Sequence, residues 1–226
     1  MERTIIFSLS LLAAAGLFCA AGAKDNAGYN KSGESPKEIV LQKIDFSKGK
    51  TVLQAVKDRR SEREFADKKL DMRLLSELLW AAGGINREET GGRTAPTAMN
   101  SRETDVYAFM REGAYLYIPG EHKLVLVAEG DVRSAAGLQD YVAQAAVNLV
   151  YVSDISRMKG GSDYSQKLLM AAVDVGHVSE NVYLCCSSAD LACVTRAYLD
   201  EAAIAKLLKL KDSQKVVLSQ SAGYRK

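Results

Sequence analysis

The chain has 226 residues, 47% of them hydrophobic and 26% charged. That is the balance of a folded globular protein with room for one large domain, not of a disordered chain. Thirty Lys and Arg against 28 Asp and Glu give a net charge of +2, too even for a general nucleic-acid binder, and two His and four Cys are few for a His-rich metal centre or a zinc module.

The first expected element is a leader. Arg3 gives a short positive start, Ile5 to Ala21 is mostly apolar, and Ala21-Gly22-Ala23 is the small-x-small pattern of a cleavage site. Residues 1–23 therefore read as a signal peptide, with a mature chain starting at Lys24 and exported, to the periplasm in a two-membrane cell. The alternative is an anchor, but the run is short beside the about 20 apolar residues of a spanning helix. A lipoprotein attached through Cys19 would need a small residue where Phe18 stands. No other stretch reaches spanning length.

Residues 24–49 are polar and read as a flexible lead-in to a single domain over 50–226. Thr51 to Arg59 has Val52, Leu53 and Val56 at helical spacing. Asp71 opens a second helix with a Leu74, Leu75, Leu78, Leu79 stripe, stopped by Gly83-Gly84. Asn86 to Pro96 reads as a loop. Asp105–Arg111, Ala114–Ile118 and Lys123–Ala128 read as a meander of strands with turns at Glu112-Gly113 and Pro119-Gly120. Val132 to Val142 is expected as a helix, and the apolar run Ala146 to Val152 as a central strand.

Ser165 to Ser188 is the longest expected helix. Apolar or small residues on most of its faces imply deep burial, against the core and a second subunit. A strand or extended loop at Ala192–Arg196, a helix at Glu201–Leu208 and a last strand at Lys215–Ser221 complete a mixed α+β chain, with helices covering an antiparallel sheet. Cys185, Cys186 and Cys193, an odd count with an adjacent pair, read as small core residues rather than a disulfide framework. His177, inside the long helix, reads as a packed or interface residue rather than a base. Asp174 and Glu180 read as interface or exposed groups.

Three clusters carry chemistry. Arg59-Arg60-Ser61-Glu62-Arg63 puts three guanidiniums and a hydroxyl within five residues, which suits a phosphate; the competing reading is a solvated basic helix end. Ala95-Pro96-Thr97-Ala98-Met99-Asn100 offers short polar side chains and free backbone donors to a flat polar ring, or else is a loop with Thr97 as a helix cap. Ala222-Gly223-Tyr224-Arg225-Lys226 ends the chain on two cations, a grip on an anion or a solvated terminus. Nucleophile-elbow, Walker A and H-E-x-x-H patterns are missing.

Taken together and in order, these stretches resemble the FMN-dependent nitroreductase family, and within it the SagB/ThcOx-like dehydrogenases. Arg59-Arg60-Ser61-x-Arg63-x-Phe65 is similar to the family's R-R-S-x-R-x-F. Leu75 to Asn86 is similar to L-x-x-L-L-W-A-A-x-G-I-N, and Arg93 to Asn100 to R-x-x-P-S-A-x-N. Gly113 to Tyr117 fits G-x-Y-x-Y, Asp174 to Leu184 fits D-x-G-x-x-x-Q-N-x-Y-L, and Gly223-Tyr224 closes the match.

The resemblance implies a nitroreductase-like α+β fold, an antiparallel-rich sheet flanked by helices, built as an intertwined homodimer with two FMN sites at the interface. Arg59, Arg60, Ser61 and Arg63 would hold the phosphate, ribityl and pyrimidine groups. Pro96, Thr97, Ala98, Met99 and Asn100 would come from the other subunit. Leu191, Ala192 and Cys193 would lie along the isoalloxazine near N5, and Arg225 or Lys226 would approach the phosphate. No side chain is assigned a catalytic role, because the flavin carries the chemistry in a ping-pong cycle. NAD(P)H is a candidate donor and a small organic molecule the acceptor. The chain departs from the pattern at Glu180, where Gln is frequent, at Asp190 and Ala192, where Gly-x-Gly is common, at Ser101-Arg102-Glu103, and at Arg225, where Pro is frequent. An alternative from another class is a non-enzymatic FMN-binding or flavin-storage protein of the cell envelope.

Overall fold

The computed structural model describes residues 36–226, so the leader 1–23, Cys19 and the start of the lead-in lie outside the described residues. Nine strands and four α-helices follow in the order β1 (Glu38–Val40), α1 (Val52–Asp58), α2 (Met72–Gly83), β2 (Ile85–Arg87), β3 (Gly92–Arg93), β4 (Thr104–Met110), β5 (Gly113–Ile118), β6 (Lys123–Glu129), β7 (Val147–Asp154), α3 (Tyr164–Ser188), β8 (Leu191–Arg196), α4 (Glu201–Leu208) and β9 (Gln214–Tyr224). Seven strands form one sheet in the order β1-β6-β5-β4-β7-β9-β8, and every pairing in it is antiparallel. β2 and β3 form a separate hairpin that starts at Ile85 and occupies much of the expected 86–96 loop.

Alternation along the central strands divides the core. Val106, Ala108 and Met110 of β4 and Val147, Leu149 and Tyr151 of β7 face α2 and α3. Tyr107, Phe109, Val150 and Val152 face the other way, toward Ile204 and Leu208 of α4. β7 is buried on both faces, which is why Val147 to Val152 is apolar but for Asn148, whose amide is paired inside the fold. On α3, Ala171, Val175, Val178, Val182 and Cys186 recur every three or four residues and are all buried.

Two further expectations change. The lead-in is not polar chain throughout: Glu38–Val40 pairs with Val125–Lys123 as an edge strand, and Leu41 is buried behind it. Val132–Val142 is not an α-helix but two 3-10 turns, Arg133–Ala136 and Asp140–Gln144, parted by Gly137 in extended conformation. A Cβ on Gly137 would lie 2.4 Å from Nε of Arg196, so the chain stays open there to admit that guanidinium. Within one copy of the chain, α3 leaves Leu169 and Val173 exposed on its outward side and Tyr164 exposed at its start. No helix among the described residues is long and apolar enough to cross a membrane.

Arg196 holds the β7, β8 and β9 end of the sheet together from within. Only 6% exposed, it donates to Ser221 Oγ at 2.7 Å, Asn148 Oδ1 at 2.8 Å, Ser219 Oγ at 3.0 Å and the Ala136 carbonyl at 3.2 Å. Its charge meets neutral oxygens there, and burial lowers its pKa. Arg196→Ala would leave those groups partnerless beside a void, and should destabilise the fold by about 2–4 kcal/mol. Urea unfolding measures this, and a loss within the scatter of a surface substitution would contradict it.

Candidate functional site

The arginine cluster sits where α1 ends and the chain crosses toward β8. Thr51 caps α1, its hydroxyl accepting from the Gln54 N–H at 3.3 Å. After Asp58 the chain becomes extended, and the Glu62 N–H donates to the Cys193 carbonyl at 2.9 Å. This lays residues 59–63 beside the start of β8. Tyr183 of α3 organises the stretch. The Arg59 guanidinium lies 5.3 Å from its ring centroid, and its hydroxyl is 2.8 Å from Ser61 Oγ. That hydroxyl also accepts from the Thr195 N–H at 2.8 Å, leaving its own proton for Ser61.

Two more guanidiniums converge on one carboxylate. Nε of Arg60 and Nε of Arg225 each lie 2.8 Å from an oxygen of Glu62. Burial raises the Glu62 pKa, but the hydrogen bonds from Arg60 and Arg225 outweigh it and hold the carboxyl below its ordinary value. Arg225 is placed by β9, whose end pairs Gly223 with Ala192 and Tyr224 with Leu191, and by a bridge to Phe65. Asp190 takes a left-handed backbone, φ 56°, at the turn into β8. Its carboxylate faces Lys50 at 2.7 Å and Arg225 at 3.6 Å, and Lys50 also reaches Asp58 at 3.0 Å. The departure at Asp190 is thus neutralised by local cations.

Leu191, Ala192 and Cys193 are buried in β8, Arg59 is half-buried, and Arg60, Ser61, Arg63 and Lys226 are exposed. The structure gathers Arg59, Arg60, Ser61, β8 and Arg225 into one neighbourhood.

The Pro96–Asn100 segment lies elsewhere. Thr97 does not cap a helix; its hydroxyl accepts from the Arg102 N–H at 3.0 Å, while the Ala98 N–H donates to Asp174 on α3 at 2.8 Å. Asp174 is buried, neither an exposed nor an interface group. It precedes Tyr183 by nine residues, which at 100° and 1.5 Å per residue puts the two on opposite sides of α3 and roughly 13 Å apart along it. One copy of the chain therefore keeps the second cluster away from the first. Pro96, Met99 and Asn100 are exposed, as is His177.

Tyr183, Glu62, Lys50 and Asp174 were not among the expected site residues. Their contacts span up to 163 positions, and no local spacing signals such pairs. The cysteines are core residues as expected, unpaired, with Cys186 and Cys193 buried. Burial pushes the Cys185 thiol up to about 12. A hydrogen bond to Cys193, together with burial, raises Cys186 well above its ordinary value. No metal-holding group of His, Cys, Asp and Glu occurs among the described residues.

Comparison with known proteins now adds to this geometry. The model of the nitroreductase family matches residues 56–224. A protein of Methanocaldococcus jannaschii, provisionally named a nitroreductase, is 31% identical over 188 residues, covering 77% of this chain and 91% of its own length. The crystal structure of a protein from Ralstonia eutropha JMP134, also provisionally named a nitroreductase, superposes with a TM-score of 0.80 at 36% identity, covering 85% of this chain and 91% of the other. Nitroreductase A of Vibrio parahaemolyticus shares the fold at a TM-score of 0.58 and 21% identity, over 78% of this chain and 68% of that one.

Burial of the thiols makes a chemical prediction. Cys185 and Cys186, whose thiols are raised, and Cys193, which is buried, should resist a disulfide reagent near neutral pH in the folded protein and react fully once it is unfolded, because an accessible thiolate is the reactive form. Rapid labelling of the native protein at Cys193 or Cys186 would contradict the burial described above.

Proposed function

The chain belongs to the nitroreductase family and is an oxidoreductase, and from that premise we propose that it binds FMN and moves reducing equivalents from a donor to a small organic acceptor by a ping-pong cycle. The observation that carries this reading is the convergence of Arg60 and Arg225 on Glu62, beside Arg59 and Ser61 on Tyr183. Two guanidiniums within one carboxylate's width present the charge and donor geometry that a phosphate needs. Glu62 acts as the stand-in anion, so the residues present fit the group.

When bound, FMN supplies the redox chemistry, taking up hydride in one half-reaction and giving it up in the next. The chain's own residues do the rest. Arg60 and Arg225 take the phosphate, with Arg63 and Lys226 adding positive charge at the rim. Ser61 and Arg59, held by Tyr183, meet the ribityl and pyrimidine groups. Leu191, Ala192 and Cys193, all buried in β8, form a dry floor for the ring. NADH or NADPH is the proposed donor.

The same reading implies a homodimer. Pro96, Thr97, Ala98, Met99 and Asn100 would complete the flavin site of a second copy, because they sit on the wrong side of α3 to complete their own. The exposed Val52, Leu53 and Val56 of α1, with Leu169 and Val173 of α3, give that copy an apolar surface. Burying each such side chain is worth about 1.5–3 kcal/mol.

Membership of the SagB/ThcOx-like branch, export under a cleaved leader 1–23, a lead-in 24–49 and a flavin domain over 50–226 belong to this proposal. A leader cut after Ala23 accounts for the apolar start better than anchoring through Cys19.

Purified protein should be yellow and bind FMN, and NADH or NADPH should bleach it in stopped flow. Arg60→Ala and Arg225→Ala should each weaken FMN binding by roughly tenfold or more, since each loses a charge-assisted hydrogen bond. A protein that takes up no FMN, or both variants binding as tightly as the parent, would overturn the assignment. Size measurement should give a dimer, and Val173→Asp should yield monomers with little FMN affinity. A monomer that holds FMN tightly would refute the shared site.

A further inference from the structure

The clamp on the Ala98 turn has an unusual partner. Asp174 Oδ2 accepts the Ala98 N–H, and the carboxyl of Glu103, at the root of β4, is hydrogen-bonded to Asp174. Glu103 is 0% exposed and Asp174 5%. The Glu103 carboxyl takes a hydrogen bond from its own main-chain N–H and, at Oε1, a distant one from the Thr104 hydroxyl, 3.4 Å, while the buried Oε2 has no N–H or O–H donor. Two carboxylates cannot hydrogen-bond to each other without a proton between them, and Asp174 is already used as an acceptor. The proton therefore belongs on Glu103.

The turn that this pair holds is strained. Met99, Asn100 and Arg102 all take left-handed backbone angles, φ 51°, 53° and 53°. Each such residue costs free energy that the surroundings must offset. The Arg102 N–H to Thr97, the Ser101 hydroxyl to the Ala98 carbonyl, and the Ala98 N–H to Asp174 are the bonds that do so.

We propose that Glu103 and Asp174 share one proton, and that this neutral-acid and carboxylate pair positions the Thr97–Arg102 turn. That the turn is presented to a flavin rests on the reading above; the clamp itself does not. The neighbouring charges are otherwise engaged. Arg157, past the end of β7, pairs with Asp105 at 2.7 Å and Asp154 at 3.8 Å, and meets Glu103 at its main-chain carbonyl. Arg93 donates to the Gly83 carbonyl, and Arg102 to the Thr90 carbonyl and Asn100. His177, one turn along α3 from Asp174, faces outward. Burial raises the Glu103 pKa above its ordinary value, and the charge and hydrogen bond of Asp174 add to this.

The sign follows. The folded protein keeps a proton that the unfolded chain releases, so the clamp's contribution is complete below the ordinary glutamate pKa. It is lost as pH rises through the raised one. This is opposite to an ion-paired carboxylate.

Hydrogen exchange of flavin-free protein, corrected for the intrinsic pH dependence, tests it. From mildly acidic to alkaline pH, peptides covering 95–102 should lose about tenfold in protection while those of β7 and β9 stay constant. Glu103→Gln, which donates an amide N–H and cannot ionise, should keep the protection at alkaline pH. Asp174→Asn, which retains an acceptor for Ala98 and offers N–H to an ionised Glu103, should also be pH-independent and stands in if the first variant folds poorly. Constant protection in the parent, or variants that lose it with the same pH dependence, would overturn the proposal. FMN affinity that falls at alkaline pH in the parent but not in Glu103→Gln supports presentation to the flavin. A pH-dependent clamp in a protein that binds no FMN would leave the clamp standing and refute the flavin reading instead.

Discussion

Helix α3 is the rod on which the rest of the molecule is hung. Its inward stripe of Val175, Val178, Val182 and Cys186 is fixed against the sheet and α2, and Ala171 against Ile155 and Met158, so its rotation about its own axis is set by core packing. That rotation decides where Asp174 and Tyr183 point. Because nine residues separate them, the two polar anchors emerge half a revolution apart. The turn at 97–102 hangs from one and the arginine cluster from the other. The helix cannot bring them together, and its outward side chains, Leu169 and Val173, are apolar and uncovered. The proposed second copy, related by a two-fold axis, would answer both features at once, bringing the turn of each chain to the arginines of the other and covering the apolar side chains.

The electrostatics of the arginine side are arranged for exchange. Arg60, Arg225 and Lys50 are matched by Glu62, Asp190 and Asp58. These pairs lie near the surface, where a salt bridge is worth about 0–1 kcal/mol, so they preorganise the cations without binding them tightly. A dianionic phosphate entering between Arg60 and Arg225 would displace Glu62 from Nε contacts at small cost and gain charge-assisted bonds in bidentate geometry. The near-neutral net charge thus conceals a local arrangement: each cation already has an anion that a better one can replace.

Much of the fold was legible because local pattern and burial agree. Leu74, Leu75, Leu78 and Leu79 read as one helix face, and Val106–Met110 of β4 and most of Val147–Val152 of β7 are apolar because the sheet is covered on both sides there. Val132–Val142 failed because its helical spacing was overruled by a distant residue: Gly137 stays extended to make room for the Arg196 guanidinium. Glu38–Val40 failed because three residues at a sheet edge carry too little periodicity to distinguish them from linker. In the site, residues with cationic or family-like spacing were visible, whereas Tyr183, Glu62 and Lys50 are defined by their partners across the fold. Asp174 could have been suspected. A carboxylate on the sheet-facing side of an apolar helix must find a donor, and the nearest irregular segment is where free N–H groups are plentiful.

The left-handed residues join these threads. Met99, Asn100 and Arg102 lie in the 97–102 turn, and Asp190 in the turn into β8, so strained backbone occurs on both halves of the site. Such geometry persists only where neighbours over-determine it. At Asp190 the reinforcement is ionic and exposed, through Lys50 and Arg225. At 97–102 it is buried and depends on a proton. The first tolerates rearrangement when a ligand arrives, because surface ion pairs are weak and salt-screened. The second does not, because a buried acceptor that loses its donor is costly. Under the proposed reading, the site would pair a soft half, an arginine cradle able to yield to a ligand, with a hard half, a turn able to keep its shape when presented to another chain.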